Sequence, residues 1–170
     1  MYHGHKDHLS AFHAHGVRYL IVGAYAVIYH AQPRFTKDID LFIKADPANA
    51  QATYAAFGAP LQGIRPEDFA ERGSFFRFGN DPHGFDILPD IPGVDFEAAW
   101  GRRVEGVIDP KSGLKAFFIS ASDLIASKLA AGRPQDIADA EAVRRAAEAR
   151  PKQPAKRNRP AEPGEDGPKQ

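Results

Sequence analysis

The chain has 170 residues, 43% of them apolar, with 22 basic and 22 acidic side chains and no cysteine. That length suits one domain around a continuous core; the missing thiols exclude disulfides and thiolate metal sites, and no apolar run nears the roughly 20 residues of a bilayer span. The balanced charge hides a split: residues 150–170 carry +3 and residues 1–149 carry −3, so the body is too acidic for a broad nucleic-acid-binding face.

Residues 1–8 have none of the apolar body of a signal peptide, which makes the cytoplasm the expected compartment. Residues 6–15 read as a helix with Leu9 and Phe12 at helical spacing and Gly16 as its stop. Five of the seven histidines fall near it: His3, His5, His8, His13 and His15. His-x-His tracts can bind metal. Pairs two residues apart cannot share a helix face, however, and no acid stands fixed beside them, so a solvated helix with a frayed start is expected.

Residues 17–22 form a short β-rich apolar run ending at Gly23, which reads as a buried strand. A helix over residues 24–31 follows, with Ala24, Val27, Ile28 and Ala31 as its stripe. Gly23 is then a strand-to-helix turn where the backbone can approach a ligand, and the helix start presents free N–H groups suited to an anion. After the break at Gln32-Pro33, residues 35–43 read as a strand. Alternation places Asp38 and Asp40 on one face and Ile39, Leu41 and Ile43 on the other. Two adjacent carboxylates need open water or a cation between them.

Asp46 caps a helix that opens on Pro47 and runs to Phe57. A short helix is expected over residues 67–72. Residues 74–78 and 85–88 read as a hairpin around a turn at 79–84, with Asp86 alone among apolar neighbours. Such a carboxylate calls for a partner if it is buried; at a hairpin end it could equally face water. Residues 95–100 form a short helix with Phe96, Ala99 and Trp100 inward, and 104–108 and 114–119 are strands. Ser120 with Asp123 resembles a capping box for a helix carrying Leu124, Ile125, Lys128 and Leu129. Beyond Gly132-Arg133-Pro134, a last helix over 135–149 has Ile137, Ala140, Val143 and Ala147 as its stripe. Residues 150–170, rich in proline and charge, cannot bury enough surface to offset their ordering entropy and are expected to be disordered. The expected architecture is α+β in one domain, residues 1–149, with that tail.

With 14 aspartates in the chain, one Asp-x-Asp is no more than chance supplies. Its context is more informative: an apolar strand ending in Gly23-Ala24, then Arg34-Phe35-Thr36-Lys37-Asp38-Ile39-Asp40, then Asp86 on a later apolar strand. This resembles the polymerase-beta-like nucleotidyltransferase superfamily, in particular its minimal members of the abortive-infection and toxin–antitoxin type. Ser122-Asp123-Leu124-Ile125-Ala126-Ser127-Lys128 and Arg133-Pro134-Gln135-Asp136-Ile137-Ala138-Asp139 are similar to the helical segment that follows there.

The resemblance implies a mixed central sheet with helices packed on it and a C-terminal helical pair. It implies transfer of a nucleoside monophosphate from a nucleoside triphosphate to a hydroxyl of a protein, RNA or small molecule. Magnesium, as a pair of ions ~4 Å apart, is the implied cofactor, with manganese as the alternative; paired aspartates suit such hard cations better than histidines. Asp38 and Asp40 would bind the metals, and Asp86 would complete the site and help deprotonate the acceptor. Gly23 and Ala24 would hold the β- and γ-phosphates, with Lys128, Arg34 and Thr36 neutralising charge and Asp136 positioning Lys128. Each has a plainer reading: Lys128 as a solvated helix residue, Asp136 as an acid favoured at a helix start, Arg34 as half of a surface ion pair.

Where the superfamily has Gly-Ser or Gly-Gly, this chain has Gly23-Ala24, which lacks a hydroxyl for phosphate and keeps the backbone N–H. A second reading is therefore a non-catalytic relative that binds a protein partner, as an antitoxin or regulatory subunit would. A histidine-based metal-binding protein is a third.

Overall fold

The structure, a computed structural model, describes residues 3–33, 35–79 and 84–149. The expectations for Arg34 and for the tail at 150–170 fall outside the described residues.

Six strands form one mixed sheet: β1 (Tyr19–Ile21), β2 (Ile39–Ile43), β3 (Phe76–Phe78), β4 (Phe85–Leu88), β5 (Val104–Asp109) and β6 (Leu114–Phe118), in the order β3-β4-β2-β1-β6-β5. β1 pairs antiparallel with β2 and parallel with β6, while β2 pairs parallel with β4. The outer pairs β3–β4 and β5–β6 are antiparallel hairpins. Six α-helices are described: α1 (His3–Ala14), α2 (Gly23–His30), α3 (Pro47–Ala55), α4 (Phe96–Gly101), α5 (Ala121–Ala131) and α6 (Pro134–Ala149). A 3₁₀ turn spans Pro66–Ala70.

The two-residue alternation of the strands divides the core between the faces of the sheet. Tyr19, Ile21, Ile39, Leu41, Ile43, Phe85 and Ile87 pack with Leu9 and Phe12 of α1 and with Phe69. On the opposite face Leu20, Val22 and Phe42 pack with Val27, Phe96, Leu124 and Val143, which belong to α2, α4, α5 and α6. Asp40, one step before Leu41 and two before Phe42, belongs to this second face.

Local signals end the helices where the sequence indicates. The Asp46 carboxylate accepts the Asn49 N–H at 2.8 Å to cap α3, and the Ser120 hydroxyl accepts the Asp123 N–H at 3.1 Å to cap α5. The Asp123 carboxylate does not complete a reciprocal box; it takes the Ser120 hydroxyl and a two-pronged contact from Arg102. Gly132, at φ +70°, closes α5 in the left-handed conformation that L side chains resist, and the chain turns straight into α6.

Several expectations are corrected. The first helix begins at His3, earlier than the expected residue 6, and its histidines are not uniformly solvated: His5 is fully buried, its Nε2 3.0 Å from the Gly84 carbonyl, and His8 packs on Phe85 at 4.3 Å. The central strand begins at Ile39, not at residue 35. Phe35 lies outside it and is 77% exposed. Ile137, assigned to the stripe of the last helix, is exposed, as is Leu129 on α5. Trp100 is half-buried, with the Arg103 guanidinium 4.1 Å and that of Arg18 4.9 Å from its ring. Helical spacing names a face; which part of that face meets another element depends on the neighbours.

Candidate active site

The apolar run of β1 ends at Gly23, which opens α2 at φ +59°. Two physical demands require glycine there. The left-handed backbone disfavours a side chain, and a Cβ would lie 2.6 Å from Cγ of Asp40, into its carboxylate. The Asp40 backbone carbonyl accepts the Val22 N–H at 2.9 Å, so the turn is tied to β2 from the other side. Val22 at the N-cap makes no side-chain capping bond to α2, and the first N–H groups of the helix stand beside Ala24 with the helix dipole behind them.

Asp40 and Asp86 are direct neighbours in the register of β2 and β4. Asp86 is only 3% exposed. Its partner is Arg77 on β3, directly across the hairpin: Arg77 Nε donates to Oδ1 at 2.8 Å and an Nη to Oδ2 at 2.7 Å. The same guanidinium lies 3.5 Å from Asp38, which sits just before β2, and hydrogen bonding to Asp86 holds it firmly protonated. Among the described residues the Asp40 carboxylate makes no hydrogen bond or ion pair. Burial pushes its carboxyl up to about 6; the Asp86 and Asp38 charges add to the rise, and Lys128 and Arg77 oppose it.

Opposite this edge, α5 and α6 hold a second charged group. Lys128, whose side chain is 13% exposed, donates to Asp136 at 2.7 Å and Asp139 at 3.0 Å. Arg133 Nε donates to the other Asp136 oxygen at 2.5 Å, and Gln135 to Asp139 at 3.0 Å. Burial pushes Asp136 up, yet hydrogen bonds from Arg133 and Lys128 outweigh it and hold the carboxyl below its ordinary value.

Between the two groups lies a cleft of about 650 Å³. Gly23, Ala24, Asp40, Asp86, Arg77, Lys128, Arg133 and Asp136 line its polar part, and Phe75, Leu88, Ile91, Pro92 and Leu124 its apolar part. Of the residues singled out from sequence, Gly23, Ala24, Asp40, Asp86, Lys128 and Asp136 are thus brought together. Asp38 reaches the group through Arg77. Thr36 does not line the cleft; its hydroxyl donates to the Asp38 carbonyl at 3.3 Å.

Sequence reading missed Arg77 and Arg133. A signal for Arg77 existed: it is the one charge on β3, as Asp86 is on β4, and opposite charges across a hairpin attract.

The donor set has the chemistry of a hard divalent cation: carboxylate oxygens, with negative charge in excess around Asp40. It is not assembled as a cage. Among the described residues no three His, Cys, Asp or Glu side chains converge on one point, and Arg77 bonds both Asp86 oxygens.

The family model described as "Nucleotidyltransferase of unknown function (DUF6036)" matches residues 7–145. No curated protein matches the chain.

Proposed function

The chain belongs to this family of nucleotidyltransferases of unknown function, and from that premise we propose that it transfers a nucleoside monophosphate from a nucleoside triphosphate to a hydroxyl acceptor, with magnesium as its metal. The mixed α+β architecture, six strands and six described helices, is that of the fold. The observation that carries the reading is Asp40: half-buried, without a hydrogen-bond or ion-pair partner among the described residues, in register with Asp86 and pressed against Gly23 at the start of α2. A carboxylate so placed costs stability and is rational where a cation is meant to arrive.

Asp38 and Asp40 would hold the metal, with Asp86 joining once released from Arg77. When bound, it supplies positive charge to the phosphate oxygens and the leaving group. The chain's own groups do the rest. The N–H groups of Ala24 and the next residue of α2 take the β- and γ-phosphate oxygens, Lys128 and Arg133 face the same charge, and Asp136 keeps Lys128 aimed into the cleft. The acceptor oxygen attacks the α-phosphorus as the bond to the bridging oxygen breaks. Pyrophosphate leaves, and a carboxylate of the cluster receives the acceptor's proton.

A second reading is favoured by the grip of Arg77 on Asp86 together with the missing hydroxyl at Ala24: a non-catalytic member of the abortive-infection and toxin–antitoxin type that restrains a protein partner. Incubation with each α-labelled nucleoside triphosphate, magnesium and a cell extract separates the two. Label transfer that disappears in Asp40→Ala is the expected result. Neither transfer nor nucleotide binding by the wild type would leave the partner reading.

A further inference from the structure

We propose that Arg77 is a counter-ion that competes with the metal for Asp86 and passes to the triphosphate when metal and nucleotide bind, so that the two ligands bind cooperatively. This rests on the proposed function of the same cleft and adds to it a residue and a linkage.

The geometry carries the competition. Each oxygen of Asp86 accepts from the Arg77 fork, at 2.8 and 2.7 Å, and the same head reaches Asp38 at 3.5 Å. A carboxylate engaged in this bidentate way keeps further lone pairs, but a second cation would have to reach them against the charge of the guanidinium already there. Asp86, 3% exposed, also cannot be left bare, since an unpaired buried charge is costly. Arg77 fills that need. A divalent cation at Asp38, Asp40 and Asp86 would fill it instead, and would repel a guanidinium held a few ångströms away.

Arg77 is placed to leave. β3 is a three-residue strand at the edge of the sheet, paired only with β4. The Arg77 side chain is 58% exposed, with its guanidinium 5.6 Å from the ring of Phe75, itself exposed. Moving that head disturbs no buried packing. Its other neighbour is the cleft, which it lines together with Lys128, Arg133 and the start of α2. A guanidinium displaced from a carboxylate there meets the oxygens of a triphosphate, which it can grip by the same fork. By linkage, whichever ligand binds first removes an obstacle to the other.

The test uses the full chain and its Arg77→Gln and Arg77→Lys variants. Manganese binding without nucleotide is followed by the free-ion electron paramagnetic resonance signal. Binding of the α,β-methylene analogues of ATP, GTP, CTP and UTP is followed by calorimetry in magnesium. Arg77→Gln should bind manganese about tenfold more tightly, within the usual range of coupling between sites, and bind the preferred analogue about tenfold more weakly. Without metal it should melt at a lower temperature than wild type, and manganese should raise its melting temperature by more. Arg77→Lys, which keeps the charge but not the fork, should fall between the two. Opposite movement of the two affinities cannot come from partial unfolding, which weakens both. Equal manganese affinity in wild type and Arg77→Gln, or weaker affinity in the variant, overturns this inference and leaves the proposed function standing. Absence of manganese binding in every protein overturns the carboxylate site itself, and this inference with it.

Discussion

Two acidic clusters face each other across the cleft, and they differ in how their charge is met. Between α5 and α6, Asp136 and Asp139 receive Lys128, Arg133 and Gln135, so each carboxylate has donors. At the edge of β2 and β4, Asp86 has Arg77 while Asp40 has no partner among the described residues. The pKa directions follow: Asp136 lies below its ordinary value, and Asp40 rises to about 6. The helical cluster is therefore a closed unit that holds Lys128 in place, and the strand cluster is short of positive charge. On the proposed function a metal would add its charge to the strand side only.

The sharpest way to break this contrast is Asp40→Asn, which keeps the shape and removes the charge. Nucleotidyl transfer should fall about 10²–10³-fold, as when one electrostatic contact to a developing charge is lost, while the metal-free protein becomes more stable by about 1–3 kcal/mol at pH 7. The sign follows from the raised carboxyl. Folded Asp40 keeps its proton to about pH 6, whereas the unfolded chain gives it up near the ordinary carboxylate value of about 4. Wild-type stability therefore drops as pH rises between these values, and the variant lacks that drop. Urea melts at pH 4 and pH 7 should show the two proteins converging at the lower pH.

Lys128→Met tests the closed side. It strands Asp136 and Asp139, although Arg133 and Gln135 remain, so the loss should approach the lower end of the about 3–5 kcal/mol seen when a buried pair is broken. Denaturant unfolding would measure it. A neutral result would mean that the cluster does not clamp α5 to α6.

Gly23→Ala should cost about 1–2 kcal/mol through its left-handed backbone and push the Asp40 carboxylate aside. Transfer should then fall by more than stability does. Comparing the melt with the labelled-nucleotide assay separates the two effects.

The smallest expected change is Ala24→Ser, which restores a hydroxyl beside the α2 N–H groups. One added hydrogen bond, about 0.5–1.5 kcal/mol, should tighten nucleotide binding a few-fold in calorimetry with no shift in melting temperature.

Much of the architecture was legible because it depends on local spacing. The alternation of residues 39–43, the Gly23 turn, the caps at Asp46 and Ser120 and the break at Gly132 are properties of short segments, and each is found in the structure. Less legible were the contacts made across long separations. His5 is buried because the Gly84 carbonyl, 79 residues away, meets its ring. Helical spacing alone would leave it in water. Leu129 and Ile137 are exposed because no described element covers that part of α5 and α6. Asp38 belongs to the Asp-x-Asp spacing, yet it stands outside β2, 3.5 Å from the Arg77 guanidinium.

By itself the sequence determined the kind and order of the elements and the face on which Asp40 and Asp86 project, since backbone periodicity is set by each segment's own residues. Only the tertiary structure decided how their charges are compensated. That depends on which strands and helices become neighbours: the order β3-β4-β2 brings Arg77 to Asp86 and leaves Asp40 without a partner among the described residues, while the packing of α5 on α6 delivers Lys128 to two acids at once. Charge pairing acts over a few ångströms of space, and distance along the chain does not report it.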